Sequence, residues 1–346
     1  MENNWNEDTI YKDLELLINL RDNYSQNNKR MLEKDISLLN TFLGEDSDDN
    51  QQPSDFIFDN KAILNEYKNT LPYLKAFSTL INKKEIKDKC YTLNRTYINN
   101  NDVFTLMHDF YKTLDKDIYN AFMINFKNHQ HNFKFITTPL NNNLGAFAGL
   151  TFPIAYLKKC YIQSLDNNTI EKLMYATHEE AHAMAKTINN YHYIKELYNE
   201  VESIFIELIA IDYYKEILAK EDFNKYQFNY LKEMLISAKY VTDINTTYNN
   251  INQIMNGQNC NLPNLKLITE MDKYITGEII YPYCYLIAVE LYELYKLDPE
   301  KALIKYKRII SSKNIFLKRE LIVHPAQNIK IYTNETIKLN KKKDHC

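Results

Sequence analysis

The 346 residues carry a formal net charge of −3 at pH 7 with only 5 glycines and 8 prolines, which suits one large or two modest domains and favours helix. The balanced charge gives no electrostatic footprint for nucleic acid, and lysine patches such as Lys83-Lys84 and Lys341-Lys342-Lys343 are short enough to be solvated surface. No run reaches the roughly 20 apolar residues of a membrane span, and Met1-Glu-Asn-Asn-Trp-Asn-Glu-Asp has neither the basic nor the apolar part of a secretory signal, so the cytoplasm is the expected compartment.

In chain order, the spacing of Leu14, Leu17, Ile18 and Leu20, then of Leu32, Ile36, Leu39 and Phe42, predicts helix over 7–43. Gly44 to Ser54 is acidic and polar with no periodic apolar face, and reads as a loop or linker. Helical patterns resume over 60–81 and after Lys84, completing an N-terminal helical region, 1–95, ahead of a second unit, 96–346. Phe133, Phe135, Cys160 and Ile162 lie in short alternating runs that predict strands. Gly145 and Gly149 beside them would permit close backbone approach, as a peptide adding as a strand requires, although a hairpin merely packed on the helices fits equally well.

Asn168-Thr-Ile-Glu171 has the form of a capping box opening a helix that runs to about Ile188, with Ile170, Leu173, Met174, Ala181 and Met184 on its apolar side. After the polar break Asn189-Asn190-Tyr191-His192, residues Ile194 to Leu218 read as a long amphipathic helix, and further helices are predicted over 279–295 and 299–310. The lysine-rich tail after His324-Pro325 is expected to be loose at its end. Cys90, Cys160, Cys260, Cys284 and Cys346 are scattered without paired spacing and read as free thiols.

The chemistry concentrates in His178-Glu179-Glu180-Ala181-His182. Residues four apart on a helix are separated by roughly 40° about its axis, so both imidazoles project from one face and can grip one ion. Glu179 stands beside them, where a carboxylate can take a proton from a metal-bound water. A solvated charged helix face is the alternative for the pentapeptide alone. A catalytic zinc takes three protein ligands, and the next helix offers Glu196, Glu200, Glu202 and Glu207. Glu200 and Glu207 share a face whereas Glu202 points roughly 200° away from Glu200, and Glu200 is the expected third ligand.

The segment Glu200-Val-Glu-Ser203-Ile-Phe-Ile-Glu207 resembles the second zinc helix of the M3 metallopeptidases, the thimet oligopeptidase and oligoendopeptidase F group, whose pattern is Glu-x-x-Ser-x-x-x-Glu. The resemblance extends to the helical stretch from Asp102, to Leu144-Gly-Ala-Phe147, Phe152-Pro-Ile154 and Lys159 to Leu165, and to Thr276-Gly-Glu-Ile-Ile-Tyr281-Pro-Tyr283-Cys-Tyr285. It implies a mainly α, zincin-type catalytic domain with a small β-sheet beside the cleft, in a short or divergent member of the group. It also implies one Zn2+ per chain on His178, His182 and Glu200, with Ser203 and Glu207 as supporting positions.

Glu179 would then be the general base of a metalloendopeptidase acting on peptides. Tyr285 matches the family's oxyanion-binding tyrosine best, Tyr283 next and Tyr281 third; without the family match these are core aromatics in a chain of 28 tyrosines. The sequence departs from the pattern at Ala181, where the family has Gly, and at Ala185, where it has His. It also lacks the histidine before the tyrosine segment, where Lys273 or Tyr274 stands; His324 is a candidate replacement. These departures and the short N-terminal part keep open an alternative, a weak or inactive peptide-binding or regulatory protein, and the expectation that a partner chain or self-association completes the cleft.

Overall fold

A computed structural model describes residues 7–23, 26–44, 71–96, 98–138, 140–142, 145–191, 199–255, 263–311 and 325–341. The fold is mainly α. The N-terminal pattern resolves into α1 (Glu7–Asn23) and α2 (Gln26–Leu43), followed past the undescribed stretch by a helical segment over 71–78. Next come α3 (Asn100–Lys112) and α4 (Lys116–Phe126). Asn99 caps α3 by accepting from the Asp102 N–H, and Asp115 caps α4 by accepting from the N–H groups of Asp117 and Ile118.

Five short strands follow: β1 (Phe133–Ile136), β2 (Leu140–Asn142), β3 (Gly145–Phe147), β4 (Gly149–Ile154) and β5 (Lys159–Leu165). β2 and β3 form an antiparallel pair; β5 is the centre of a three-stranded sheet, parallel to β1 and antiparallel to β4. The alternation of β5 sorts its side chains between two cores. Cys160 and Ile162 join the large helical core, while Tyr161 joins Phe152 and Ile154 against Leu14, Leu17, Ile36, Leu39 and Phe42 of α1 and α2. Polar contacts fix that second interface: Asp35 accepts from the backbone N–H groups of Ala155 (3.2 Å) and Tyr156 (2.8 Å), and Gln163 donates to the Phe42 carbonyl at 2.8 Å.

The rest of the chain is helical: α5 (Glu171–Ile188), α6 (Asn199–Ile217), α7 (Lys220–Met255), α8 (Pro263–Leu297), α9 (Pro299–Ser311) and α10 (Pro325–Lys341). α5 ends where the sequence places it but begins two residues later than the capping box predicts. Asn168 takes a left-handed φ of 56°, and Thr169 does the capping, its hydroxyl accepting from the Glu171 N–H at 3.1 Å. α6 is not the amphipathic helix its pattern suggests, for every residue from Val201 to Ile211 is buried. It packs between α5 and α8 with α7 alongside, and that position explains its apolar residues on all sides. α8 begins well ahead of residue 279, and the helix runs on through Pro282.

The predicted acidic loop beyond Gly44, His192, Leu197 and His324 lie outside the described residues. Among the described residues, Cys90, Cys160 and Cys284 are free thiols, and no helix among those residues is long and apolar enough to cross a membrane.

Glu180, between the two motif histidines, points into the core rather than the cleft. It is 1% exposed, its Oε1 has no hydrogen-bond partner, and burial raises its carboxyl well above the ordinary value of 4.5. Because the folded pKa is the higher one, the unfolded chain loses this proton first. Stability therefore falls as pH rises above 4.5, by about 1.4 kcal/mol per pH unit until the folded group itself ionises. Glu180→Gln is expected to gain thermal midpoint relative to the parent as pH rises above 4.5, until the folded carboxyl ionises; a difference between the two that ignores pH would contradict this placement.

Candidate metal centre

α5 and α6 meet so that His178, His182 and Glu200 converge. Their donor atoms lie within 4.8 Å of one another, and this is the one such group of three or more His, Cys, Asp or Glu side chains among the described residues. Glu200 Oε2 is 3.3 Å from His178 Nε2 and 3.6 Å from His182 Nε2. The side chains keep 18%, 13% and 14% of their surface exposed, so the cluster is within reach of solvent.

Carboxylates on α6 support both rings from behind. His178 Nδ1 lies 3.1 Å from Glu207 Oε2 and His182 Nδ1 lies 3.3 Å from Glu202 Oε2. A carboxylate only accepts, so each Nδ1 carries the hydrogen, and the Nε2 of a neutral ring is left with its lone pair turned toward Glu200. Glu207 in turn accepts from the hydroxyls of Tyr226 and Tyr230 on α7, and Lys186 Nζ reaches Glu202 at 3.0 and 3.4 Å. Ser203 donates toward Glu200, 3.2 Å from its carbonyl and 3.4 Å from its Oε2.

This donor set fits a zinc ion. Two ligand atoms each about 2.0–2.1 Å from a tetrahedral centre are roughly 3.3–3.4 Å apart, close to both Glu200 separations. Charge fits as well: Glu200, Glu202 and Glu207 against Lys186 leave two formal negative charges, which one dication or two imidazolium protons cancel. Burial by itself would lower the His178 and His182 pKa values, but Glu200 and the carboxylates behind the rings outweigh it, raising His178 well above its ordinary value and His182 to about 9. For Glu200 burial pushes the other way, and the two imidazoles overcome it and hold the carboxyl far below the usual carboxylate range.

Glu179 is positioned from the sheet. Thr151 on β4 places its hydroxyl 2.8 Å from both the backbone oxygen and Oε2 of Glu179. Gly149 on the same strand makes room: a Cβ there would stand 2.6 Å from Glu179 Cγ, 2.7 Å from its Oε1 and 2.8 Å from the Gln163 carbonyl. The close approach expected of this glycine is thus to a side chain of the chain itself. Burial raises the Glu179 pKa above its ordinary value, with His178, His182 and Thr151 pulling it back.

The tyrosines fall differently from the sequence expectation. Tyr281 comes to the cluster: its hydroxyl bonds the Glu200 carboxylate, and the charge of Glu200, then burial and Glu179, raise its pKa well above the ordinary value. Tyr285, one turn further along α8, is fully buried, stacked on Phe77 with ring centroids 6.0 Å apart and edge-on to Tyr230 at 5.3 Å. Tyr283 is buried in the core, and two residues along a helix from Tyr281 is roughly 200° around it. In a tyrosine-rich run the sequence shows the helix but not its rotation. Glu202, Lys186, Thr151 and Tyr281 are the site residues that sequence reasoning missed or ranked low. The i, i+4 spacing of His182 and Lys186 was the one available signal for the lysine.

No family model matches the chain, and no curated protein matches it in sequence. Solved structures match in fold. A protein designated oligoendopeptidase F from Bacillus anthracis str. Ames superposes with a TM-score of 0.54 at 15% identity, over 92% of this chain and 64% of its own. PZ peptidase A, solved with an inhibitor, gives 0.54 at 14% identity over 90% and 62%. A chain designated a peptidase from Chlamydophila abortus gives 0.51 at 13% identity over 94% and 62%. The chain therefore has the fold of these proteins and spans less than two thirds of their length.

Because both imidazoles hold protons at neutral pH without metal, Zn2+ binding at pH 7 is expected to release about two protons per ion. Protons compete below the raised pKa values, so apparent affinity should climb with pH toward about 9. Calorimetry in buffers of different ionisation enthalpy reads the proton count; a release near zero would mean that the imidazoles are neutral before metal binds or are not the ligands.

Proposed function

We propose that the chain is a zinc-dependent metallopeptidase of oligopeptidase type that hydrolyses internal bonds of peptides. The observation that carries this reading is the convergence of both Nε2 atoms and the Glu200 carboxylate beside a carboxylate, Glu179, held separately by Thr151 and Gly149. His178, His182 and Glu200 would hold one Zn2+, which when bound supplies Lewis-acid polarisation of the scissile carbonyl and acidifies water. The likeness to peptidases of known fold supports the same reading.

Glu179 takes one proton from the attacking water as its oxygen bonds to the carbonyl carbon. It then delivers that proton to the amide nitrogen as the C–N bond breaks, leaving an amine and a carboxylic acid, whose remaining proton passes to the amine or to water. Its burial suits this exchange, because a raised carboxyl pKa lies closer to the working pH and gives the proton back readily. The Tyr281 hydroxyl stays protonated and stands at the cluster as a hydrogen-bond donor for the oxygen that gains charge. The tyrosine role assigned by resemblance to Tyr285 and Tyr283 passes to Tyr281. The peptide is the expected partner, the cytoplasm the proposed compartment, and a second chain the proposed completion of the cleft.

A second reading, a peptide-binding protein that keeps the centre and cleaves nothing, is favoured by the departures from the family pattern at Ala181 and Ala185 and by the missing histidine before the tyrosine segment. Turnover of a quenched peptide library by protein carrying one zinc per chain excludes it. Glu179→Gln is expected to keep its zinc and lose about 100- to 10,000-fold in kcat/KM, and full activity in that variant would sink the mechanism. Gly149→Ala should also retain zinc and lose activity, because its new Cβ displaces the Glu179 side chain; unchanged kcat would show that this carboxyl tolerates movement.

A further inference from the structure

We propose that Glu202 and Lys186 form a positioning pair for His182, fixing the ring that presents Nε2 to the metal; the inference rests on the metal-centre reading above. His182 and Lys186 are four residues apart on α5 and so share a face, and Glu202 enters between them from α6. Its carboxylate meets His182 Nδ1 at 3.3 Å and Lys186 Nζ at 3.0 Å, and its side chain is 0% exposed. The backbone is held too, since the Tyr306 hydroxyl of α9 donates to the Glu202 carbonyl at 2.6 Å.

Stability alone does not account for such a pair. A buried carboxylate and ammonium are often no better than apolar residues of the same volume, because desolvation offsets their attraction. The third group in the contact explains it. Without Glu202, the Nδ1–H of His182 loses the partner seen for it among the described residues, and the ring could turn about its Cβ–Cγ bond, taking Nε2 away from Glu200. Without Lys186, a fully buried carboxylate would face the imidazole uncompensated, and the centre would carry one more negative charge. Glu207 does the equivalent for His178 with a different backing, two phenols in place of an ammonium. The two histidines are therefore supported by carboxylates of unequal charge density, and the His182 side is the one that depends on an ion pair.

The test compares Glu202→Gln, Lys186→Arg and the double replacement Lys186→Met with Glu202→Leu, which substitutes a buried apolar pair. Zn2+ dissociation constants come from chelator competition, and the visible spectrum of the Co2+-substituted protein reports ligand geometry. The double variant is expected to bind zinc about 10- to 100-fold more weakly with a shifted Co2+ spectrum, Glu202→Gln to fall between it and the parent, and Lys186→Arg to stay near the parent. A folded double variant with parental zinc affinity and an unchanged Co2+ spectrum overturns the proposal and makes the pair a tie between helices only. Should Glu202→Gln fail to fold, the double variant decides. Parent protein that binds no zinc would instead remove the metal-centre reading itself, a failure separable from this one.

Discussion

Three carboxylates at the start of a helix buried on every side from Val201 to Ile211 set the terms for everything around them. Glu200, Glu202 and Glu207 leave α6 within eight residues, and each would cost several kcal/mol if buried without a partner. The partners come from different directions. α5 supplies two imidazoles and the Lys186 ammonium, α7 supplies the Tyr226 and Tyr230 hydroxyls, and α8 supplies Tyr281. A shift of α6 by one residue against α5 would leave each of these acids facing the wrong group. The register of the helical core is therefore fixed by electrostatics as well as by its apolar packing, and the same register brings the three donor atoms together.

The sheet meets a separate requirement. In the proposed mechanism a proton-transferring carboxylate must stand beside the candidate ligands without becoming one, and Glu179, adjacent in sequence to His178, needs something outside α5 to hold it apart. β4 does so with a hydroxyl and a missing side chain, at Thr151 and Gly149. That strand is in turn anchored on its far face by α1 and α2, whose Asp35 caps the turn into β5 and whose Phe42 packs against Phe152 with ring centroids 5.6 Å apart. The N-terminal helices, distant from the cluster, thus bear on it through the strand they support.

The parts of this arrangement that were legible in the sequence are those where periodicity and chemistry coincide. The i, i+4 histidines and the carboxylate between them need only a helix to be correctly related, and the end of α5 follows from its polar break. Glu200 was reachable because the ligand count demands an acid on the next element. Glu202 was set aside on the argument that it points away from Glu200, which is true about the axis of α6 but overlooks that two histidines on α5 straddle that helix, so acids on both flanks find an imidazole. Tyr281 could not be separated from Tyr283 and Tyr285 because helical rotation is fixed by packing against Phe77, Tyr230 and Tyr332, all distant in sequence. Gly149 was noticed as a glycine, but what fills the space it leaves depends on a helix that begins more than twenty residues later.

Glu200 ties these pieces to one another. A carboxylate has about four lone-pair sites, and here one oxygen faces both imidazoles while the Ser203 and Tyr281 hydroxyls also bond to the group. The phenol at the cleft is thereby tethered to a candidate ligand rather than held by its own helix alone. Pro282 follows Tyr281 directly and has no N–H to donate, so α8 lacks one rung of hydrogen bonding beside the residue that Glu200 restrains. The hydrogen-bond donor is consequently restrained by the candidate metal cluster as well as by the packing of the helix that carries it, which couples the placement of the two groups that would act on the same carbonyl oxygen in the proposed mechanism.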